Sequence, residues 1–312
     1  MNVLGIDAGG TKTVCYLADG DGNVLGEARG GGASLRAEGE LGVEKVLHSV
    51  MDQALGGREN DVDAICLGMA GAEREADGTV VRGIMRRIGA RSRVVVVSDA
   101  LVALVAGVGE APGIVIICGT GAVAYGRNAR DQSASAGGWG HVLGDEGSGY
   151  WISRRALQAV ARAADGRGPA TGLTPRILNH FEVARPADLV VEIYERQLRH
   201  HAVAQLARVV QQARDEGDEA ATQILEQAAH ELVRGARSVA ERLRMRDEPV
   251  PFVLAGGVFS GVPWLAEELR RRLPGIAPRG QVRRLETEPA VGAVRLALAE
   301  ARGGARVPVP LA

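Results

Sequence analysis

Apolar positions along this chain fall into two rhythms. Residues 2–7 are a short apolar run of strand length that ends on a carboxylate. Residues 13–18 and 24–29 read as two more strands, with Asp19-Gly20-Asp21-Gly22-Asn23 as strong turn chemistry between them. The opening is therefore an antiparallel meander and not a strand–helix–strand unit. Over residues 41–55, Leu41, Val43, Val46, Leu47, Val50, Met51 and Leu55 keep helical spacing. Residues 62–69 read as a buried strand closed by Gly68-Met69-Ala70-Gly71-Ala72. Residues 80–88 read as a helix. Four valines at 94–97 form a further strand, followed by Ser98-Asp99-Ala100 and a helix reaching Val105.

A second round then begins. Residues 113–118 predict a strand, Gly119-Thr120-Gly121 a turn, and residues 122–125 a returning strand. This echoes the first strand, its Gly9-Gly10-Thr11 turn and its return, and so implies two related halves. Helix is predicted at 150–164, and a mostly helical region at 175–245 includes 206–213 and 220–243. A strand at 251–255 runs into Gly256-Gly257-Val258-Phe259-Ser260, then a helix at 264–273 and a late strand at 281–285. A last helix spans 289–301 with Pro289 at its first position. The tail Val307-Pro308-Val309-Pro310 is expected to be poorly ordered.

One stretch obeys neither rhythm. Gly137-Gly138-Trp139-Gly140-His141-Val142-Leu143-Gly144-Asp145-Glu146-Gly147-Ser148 holds five glycines in twelve residues. Ordinary helices and strands do not tolerate that density. It reads as backbone shaped to approach a ligand, with a few side chains aimed at it. The plain alternative for this run and the two Gly-Thr turns is tight turns between strands.

Backbone N–H groups in such turns bind anionic oxygens. No GxxxxGK[ST] loop occurs. Gly119 to Ala124 fits a relaxed GxGxxA pattern, but a strand follows it where a dinucleotide fold needs a helix. Two Gly-Thr hairpins point instead to phosphates held from two halves of the protein. Asp99 follows the valine strand at its carboxyl end, where ligands of open sheets sit. A carboxylate there can take the proton of a hydroxyl during phosphoryl transfer. The competing reading is that Ser98 or Asp99 caps the helix. Asp145 is bracketed by Gly144 and Gly147, and its two oxygens suit adjacent sugar hydroxyls. A metal cluster of His141, Asp145 and Glu146 finds no supporting histidine motif, and His200-His201 reads as surface.

Composition narrows the partners. Of the 312 residues 46% are hydrophobic but only 3% aromatic, so aliphatic side chains build the core. A net charge of -1 gives no nucleic-acid or membrane surface. No apolar run approaches the ~18–20 residues of a membrane span, and no signal-peptide pattern opens the sequence. The lysines are Lys12 and Lys45 alone. Cys15, Cys66 and Cys118 lie far apart in strand-like runs and read as buried free thiols of a reducing compartment. The expectation is a cytoplasmic protein.

Together these motifs resemble the BadF/BadG/BcrA/BcrD ATPase-like family, and within it the N-acetylglucosamine kinases, a branch of the actin/hexokinase superfamily. The matching residues are Gly5-Ile6-Asp7-Ala8-Gly9-Gly10-Thr11-Lys12-Thr13, Ser98-Asp99-Ala100, Gly119-Thr120-Gly121, the run from Gly138 to Ser148, and Leu254-Ala255-Gly256-Gly257-Val258. The resemblance implies an α/β fold of two ribonuclease-H-like, actin-like ATPase domains, each with a mixed sheet, and a cleft between them. Residues 1–112 with 287–312 would form the smaller domain and 113–286 the larger. It implies ATP with Mg²⁺, Asp7 near the metal, and phosphates on Gly9, Gly10, Thr11, Lys12, Gly119, Thr120 and Gly121. Gly256 and Gly257 would border adenosine. Asp99 would be the base, and Ser34, Gly138, Trp139 and Asp145 would line the pocket of an amino sugar phosphorylated on its 6-hydroxyl. Domain closure would exclude water. A homodimer is expected, with no nucleic-acid or membrane partner.

One position departs from the pattern. The family's sugar kinases usually carry Asn in the loop where Gly32-Ala33-Ser34-Leu35 stands here. Serine is shorter and offers one donor, so the sugar or its 2-substituent is left open. The family's dehydratase-activating branch needs closely spaced cysteines, which this sequence lacks. A partner-driving ATPase and a sugar-sensing regulator remain as alternatives.

Overall fold

The computed structural model describes residues 1–58, 62–71, 75–246 and 248–311. Ala72, at the end of the turn predicted after the fourth strand, lies outside them. The chain divides into two compact units. One comprises Met1–Val115, Tyr125–Ala134 and Arg284–Ala312; the other Ile116–Ala124 and Ser135–Arg283.

The chain begins β1 (Asn2–Ala8), β2 (Lys12–Asp19), β3 (Val24–Gly31), α1 (Leu35–Leu55), β4 (Val62–Met69), α2 (Glu75–Arg87), β5 (Arg93–Val97), α3 (Asp99–Val108). These strands form a five-stranded sheet in the order β3-β2-β1-β4-β5. β1–β2 and β2–β3 are antiparallel, whereas β1–β4 and β4–β5 are parallel. The sheet is thus mixed, with the opening meander predicted from sequence. Asp19 shapes its second turn by accepting from the N–H of Asp21 and of Asn23, each at 2.9 Å. Leu4, Ile6, Leu17, Leu47, Leu67 and Ile84 share one core, so α1 and α2 cover the sheet with aliphatic side chains.

The chain continues β6 (Gly113–Cys118), β7 (Ala122–Arg127), β8 (Gln132–Gly137), α4 (Gly149–Ala164), α5 (Leu173–His180), α6 (His200–Ala204), α7 (Ala207–Asp215), α8 (Glu219–Arg242). It ends β9 (Phe252–Ala255), α9 (Val258–Gly261), α10 (Pro263–Arg272), β10 (Val282–Arg284), α11 (Ala290–Ala301), β11 (Val309–Pro310). The second sheet runs β10-β9-β6-β7-β8-β11. Asp218 starts α8 by accepting from the N–H of Ala221 at 2.8 Å. The three cysteines are buried, as their strand positions predict, and burial pushes the Cys15 thiol up to about 12.

Three elements differ from the sequence reading. α1 starts at Leu35 and breaks at Gly39 (φ 65°, ψ 174°), so only its second part carries the periodicity. β8 is an added strand that the apolar pattern does not show, because Gln132-Ser133-Ala134-Ser135-Ala136-Gly137 has no large apolar residue. The C-terminal tail is ordered and does not trail off. Val309 N–H donates to Asp131 O and Leu311 N–H to Ser133 O, both at 2.8 Å, adding β11 parallel to the edge of β8. Proline is tolerated there because an edge strand leaves one side unpaired.

α11 returns the chain to the first unit. A Cβ on Gly5 of β1 would lie 2.4 Å from Val294 N, and one on Gly292 only 1.9 Å from Val102 O of α3. Strand and two helices therefore meet backbone to backbone. Gly292→Ala is expected to cost about 1–3 kcal/mol or more through overpacking. Urea unfolding should show a lower midpoint at unchanged slope. An unchanged midpoint would mean that α3 and α11 separate at no cost.

Candidate active site

In the first unit, the β1–β2 turn is closed by Gly9 N–H donating to Lys12 O at 3.0 Å. Ala33 N–H donates to Gly9 O at 3.0 Å, and a Cβ on Gly32 would lie 2.4 Å from Gly10 O. The loop carrying Ser34 is thereby laid against the Gly-Thr turn. Ser34 occupies the N-cap of α1, yet its hydroxyl makes no capping bond.

Asp7 lies at the carboxyl end of β1 and is 7% exposed. Its carboxyl is pushed up to about 7, first by burial, then by the nearby Asp99 carboxylate; Lys12 opposes this and Glu288 adds to it. Asp99 is half-buried on the first turn of α3, beyond the end of β5. β1, β4 and β5 run parallel, so Asp7 and Asp99 sit at the same ends of their strands. The capping duty falls to Ser98, whose hydroxyl accepts from Leu101 N–H at 3.2 Å. Asp99 Oδ1 accepts from Ala100 N–H at 2.9 Å. The cap explains Ser98 and leaves the choice of an acid at 99 to other causes.

The second unit gathers a second group. Gly119 N–H donates to Gly121 O at 2.9 Å, closing the β6–β7 turn. The first amide of α4, Gly149 N–H, donates to Gly119 O at 2.8 Å, and Tyr150 N–H to Thr120 O at 3.3 Å. Gly256 has φ +109°, and a Cβ there would lie 2.3 Å from Cys118 O. The β9–α9 turn with Gly256 and Gly257 therefore touches the strand that leads into Gly119. Ser148 caps α4 by accepting from Trp151 N–H at 3.1 Å.

The glycine-rich stretch folds onto this same turn. Gly137, Gly138, Gly140 and Gly147 all have positive φ, which explains their number. Gly138 N–H donates to Ala122 O at 2.8 Å. Asp145 itself has φ +60° and is 8% exposed. A Cβ on Gly121 would lie 2.9 Å from Asp145 Oδ2, so glycine at 121 makes room for that carboxylate. Burial raises the Asp145 carboxyl, while the N–H groups of Ala122 and Gly140 and the nearby His141 pull it down. The residues assigned by motif to phosphate (Gly119, Thr120, Gly121) and to sugar (Gly138, Asp145) thus form one neighbourhood. Trp139 is 64% exposed, with Val142 and Leu143 beside it in sequence also exposed.

Two long-range contacts escaped the sequence reading. His200 is exposed, as read, but its ring lies tilted against that of His141 with centroids 3.9 Å apart, and Tyr150 meets both edge-on. Burial and His141 lower its pKa. Nothing in the local pattern of α6 signals a partner 59 positions away. Glu288 binds Lys12 Nζ at 2.7 Å and Arg29 Nη1 at 2.8 Å, again across long sequence separations. A cavity of about 470 Å³ beside α4, α8 and α10 is lined by Trp151, Arg155, Glu226 and Arg272 and contains none of the motif residues.

Among the described residues, no group of three or more His, Cys, Asp or Glu side chains could cage a metal, so His141, Asp145 and Glu146 form no such centre. Mg²⁺ needs less: one or two carboxylates, water and substrate phosphates. Asp7, buried beside a second carboxylate, fits that demand, because a cation would relieve the strain that raises its pKa. No helix among the described residues is long and apolar enough to cross a membrane.

A sequence profile of the BadF/BadG/BcrA/BcrD ATPase family matches residues 4–297. The chain belongs to this family. Among its relatives, an N-acetylmuramic acid/N-acetylglucosamine kinase of Clostridium acetobutylicum is 36% identical over 301 residues, covering 96% of this chain and 98% of that protein. An N-acetyl-D-glucosamine kinase of Dictyostelium discoideum is 32% identical over 309 residues, covering 95% and 97%. A solved structure from Chromobacterium violaceum, provisionally assigned as an N-acetylglucosamine kinase, superposes with a TM-score of 0.73 at 28% identity, covering 95% and 98%. A ROK-family glucokinase of Streptomyces griseus, at 22% identity and a TM-score of 0.61, shares the fold. The actin-like two-domain kinase architecture expected from the motifs is therefore the fold of this family member.

Proposed function

We propose that this protein is an ATP-dependent kinase of an amino sugar, N-acetylglucosamine or glucosamine, that transfers a phosphoryl group to the 6-hydroxyl. The observation that carries the reading is full-length similarity, above 30% identity, to two named amino-sugar kinases. Asp7 and Asp99 at matching strand ends support it.

In this reading Thr11 and Thr120 donate to phosphate oxygens, and Gly9, Gly10, Gly119 and Gly121 let the backbone approach them. Lys12 adds a point charge to the phosphates. Gly256 and Gly257 border the adenosine. Asp99 accepts the proton of the 6-hydroxyl as its oxygen bonds to phosphorus and the bond to the ADP oxygen breaks. Asp7 holds Mg²⁺, whose charge offsets that of the phosphates. Asp145, Gly138, Trp139 and Ser34 orient the sugar, with Trp139 offering an exposed aromatic face.

ADP release in the presence of N-acetylglucosamine, glucosamine, N-acetylmuramic acid, glucose or no sugar tests the reading. Sugar-dependent release is expected. Equal ATP turnover without any sugar would favour an ATPase that drives a partner protein, and no turnover with tight sugar binding a regulator.

Asp145→Ala should raise the sugar KM tenfold to a hundredfold, since an unmet buried hydroxyl costs about 1–3 kcal/mol and ~1.4 kcal/mol is one decade. The ATP KM should move much less. Because Asp145 abuts Gly121, collapse of ATP affinity with intact sugar affinity would instead assign Asp145 to the nucleotide.

A further inference from the structure

Glu288 stands immediately before Pro289 and α11, the helix in backbone contact with β1. Its root is therefore fixed relative to the sheet. Both carboxylate oxygens are engaged: Oε2 accepts from Lys12 Nζ at 2.7 Å and Oε1 from Arg29 Nη1 at 2.8 Å. Glu27 holds Arg29 from the other side, at 2.8 Å. The acid is the sheltered member, with 24% of its side chain exposed against 56% for Lys12 and 52% for Arg29. Burial pushes the Glu288 carboxyl up, but the bonds from Lys12 and Arg29 outweigh it and hold it below its ordinary value. The backbone of the β1–β2 turn is closed by its own hydrogen bond, yet a Cβ on Gly10 would meet nothing within 4 Å. The Lys12 side chain is largely exposed, and the bond to Glu288 fixes where its ammonium group lies.

The geometry points to Glu288 as a positioning residue that aims Lys12 at the nucleotide phosphates; this rests on the kinase reading above. Arg29 completes the device by neutralising the second oxygen, so that Glu288 holds Lys12 without presenting a surplus negative charge to an anionic ligand. Exposed ion pairs contribute little to stability. The consequence of breaking this one is therefore expected in ATP binding and not in the melting temperature.

The test uses Glu288→Gln, which keeps the shape and removes the charge. The ATP KM should rise about tenfold, the scale of one charge-assisted hydrogen bond misdirected, with the sugar KM and melting temperature little changed. In a Lys12→Ala background the same substitution should do nothing further, because residues acting through one another are not additive. A second readout needs no catalysis. Lys12 and Lys45 are the only lysines, so mass spectrometry after mild acylation reads Lys12 against Lys45 as internal control. Lys12 should be acylated faster in the Glu288→Gln protein. An unchanged acylation ratio would overturn the tether itself. Faster acylation with an unchanged ATP KM, or an equal loss in the Lys12→Ala background, would overturn its role in positioning. If Lys12→Ala alone leaves the ATP KM unchanged, Lys12 does not serve the nucleotide and the reading of that residue fails while the tether stands.

Discussion

Asp99→Asn should lower kcat by roughly 10²–10⁴-fold, the usual worth of a general base. The fold should survive the change. Ser98 supplies the α3 cap through its bond from Leu101 N–H, and an Asn side chain can still accept from Ala100 N–H as Asp99 does. The isosteric amide also keeps the shape of any hydrogen bond to a sugar hydroxyl, so the sugar KM should change far less than kcat. Only the ability to receive a proton is lost. Steady-state kinetics with both substrates, beside a thermal melt of the same preparation, separates the cases. Near-normal turnover in a folded Asp99→Asn protein would take Asp99 out of the mechanism. A large loss of melting temperature would mean that the acid serves α3 after all.

The elements that sequence could reveal are those in which one local signal decides. β1, β2 and β3 were legible because apolar runs alternate with Asp and Gly turn chemistry, and the pairing found is the meander they imply. The glycine-rich stretch was legible because its backbone demands glycine, as positive φ at Gly137, Gly138, Gly140 and Gly147 bears out. The glycines of the Gly-Thr turns keep negative φ, and Gly121 is required by the nearby Asp145 carboxylate instead. β8 and β11 were not legible. β8 lies between the preceding β7 and β11 from the far end of the chain. Its small and polar residues give no apolar alternation, and neither Ser133 nor Pro310 announces a partner. The same limit hid the contacts of His200 and of Glu288. Each acts through a residue far away in sequence, 276 positions for Glu288 and Lys12, and no spacing rule reaches that far. It also hid the placement of Asp145. Motif order assigned it to a sugar and Gly121 to a phosphate, but only the fold puts that carboxylate against that glycine.

Asp7 carries an expected effect of the opposite sign on stability and on activity. Its carboxyl stands near 7 in the folded chain against an ordinary value of 3.8, burial being the main cause and the Asp99 carboxylate the next. Between those two values the folded state binds the proton more tightly than the unfolded state does. Stability is therefore full at low pH and falls as pH rises through about 4 to 7, after which the whole cost is present. That separation corresponds to on the order of 4 kcal/mol. Asp7→Asn abolishes the titration and keeps the size. Without nucleotide and with a chelator present, this variant should match the parent near pH 4 and exceed it by several kcal/mol near pH 8, as read by urea unfolding at a series of pH values. Its kinase activity should be lost at every pH, because an amide is a poor ligand for Mg²⁺ where a carboxylate is a good one. Adding Mg²⁺ with ATP should then stabilise the parent at pH 8 and leave the variant nearly unmoved. A stability difference that stays flat from pH 4 to 8 would show that Asp7 does not titrate in this range. Full activity of the Asn variant would remove it from the metal site. A more stable protein without function is the combined outcome expected if Asp7 holds the cation as proposed, because a buried acid held against its own desolvation then costs stability for the sake of binding.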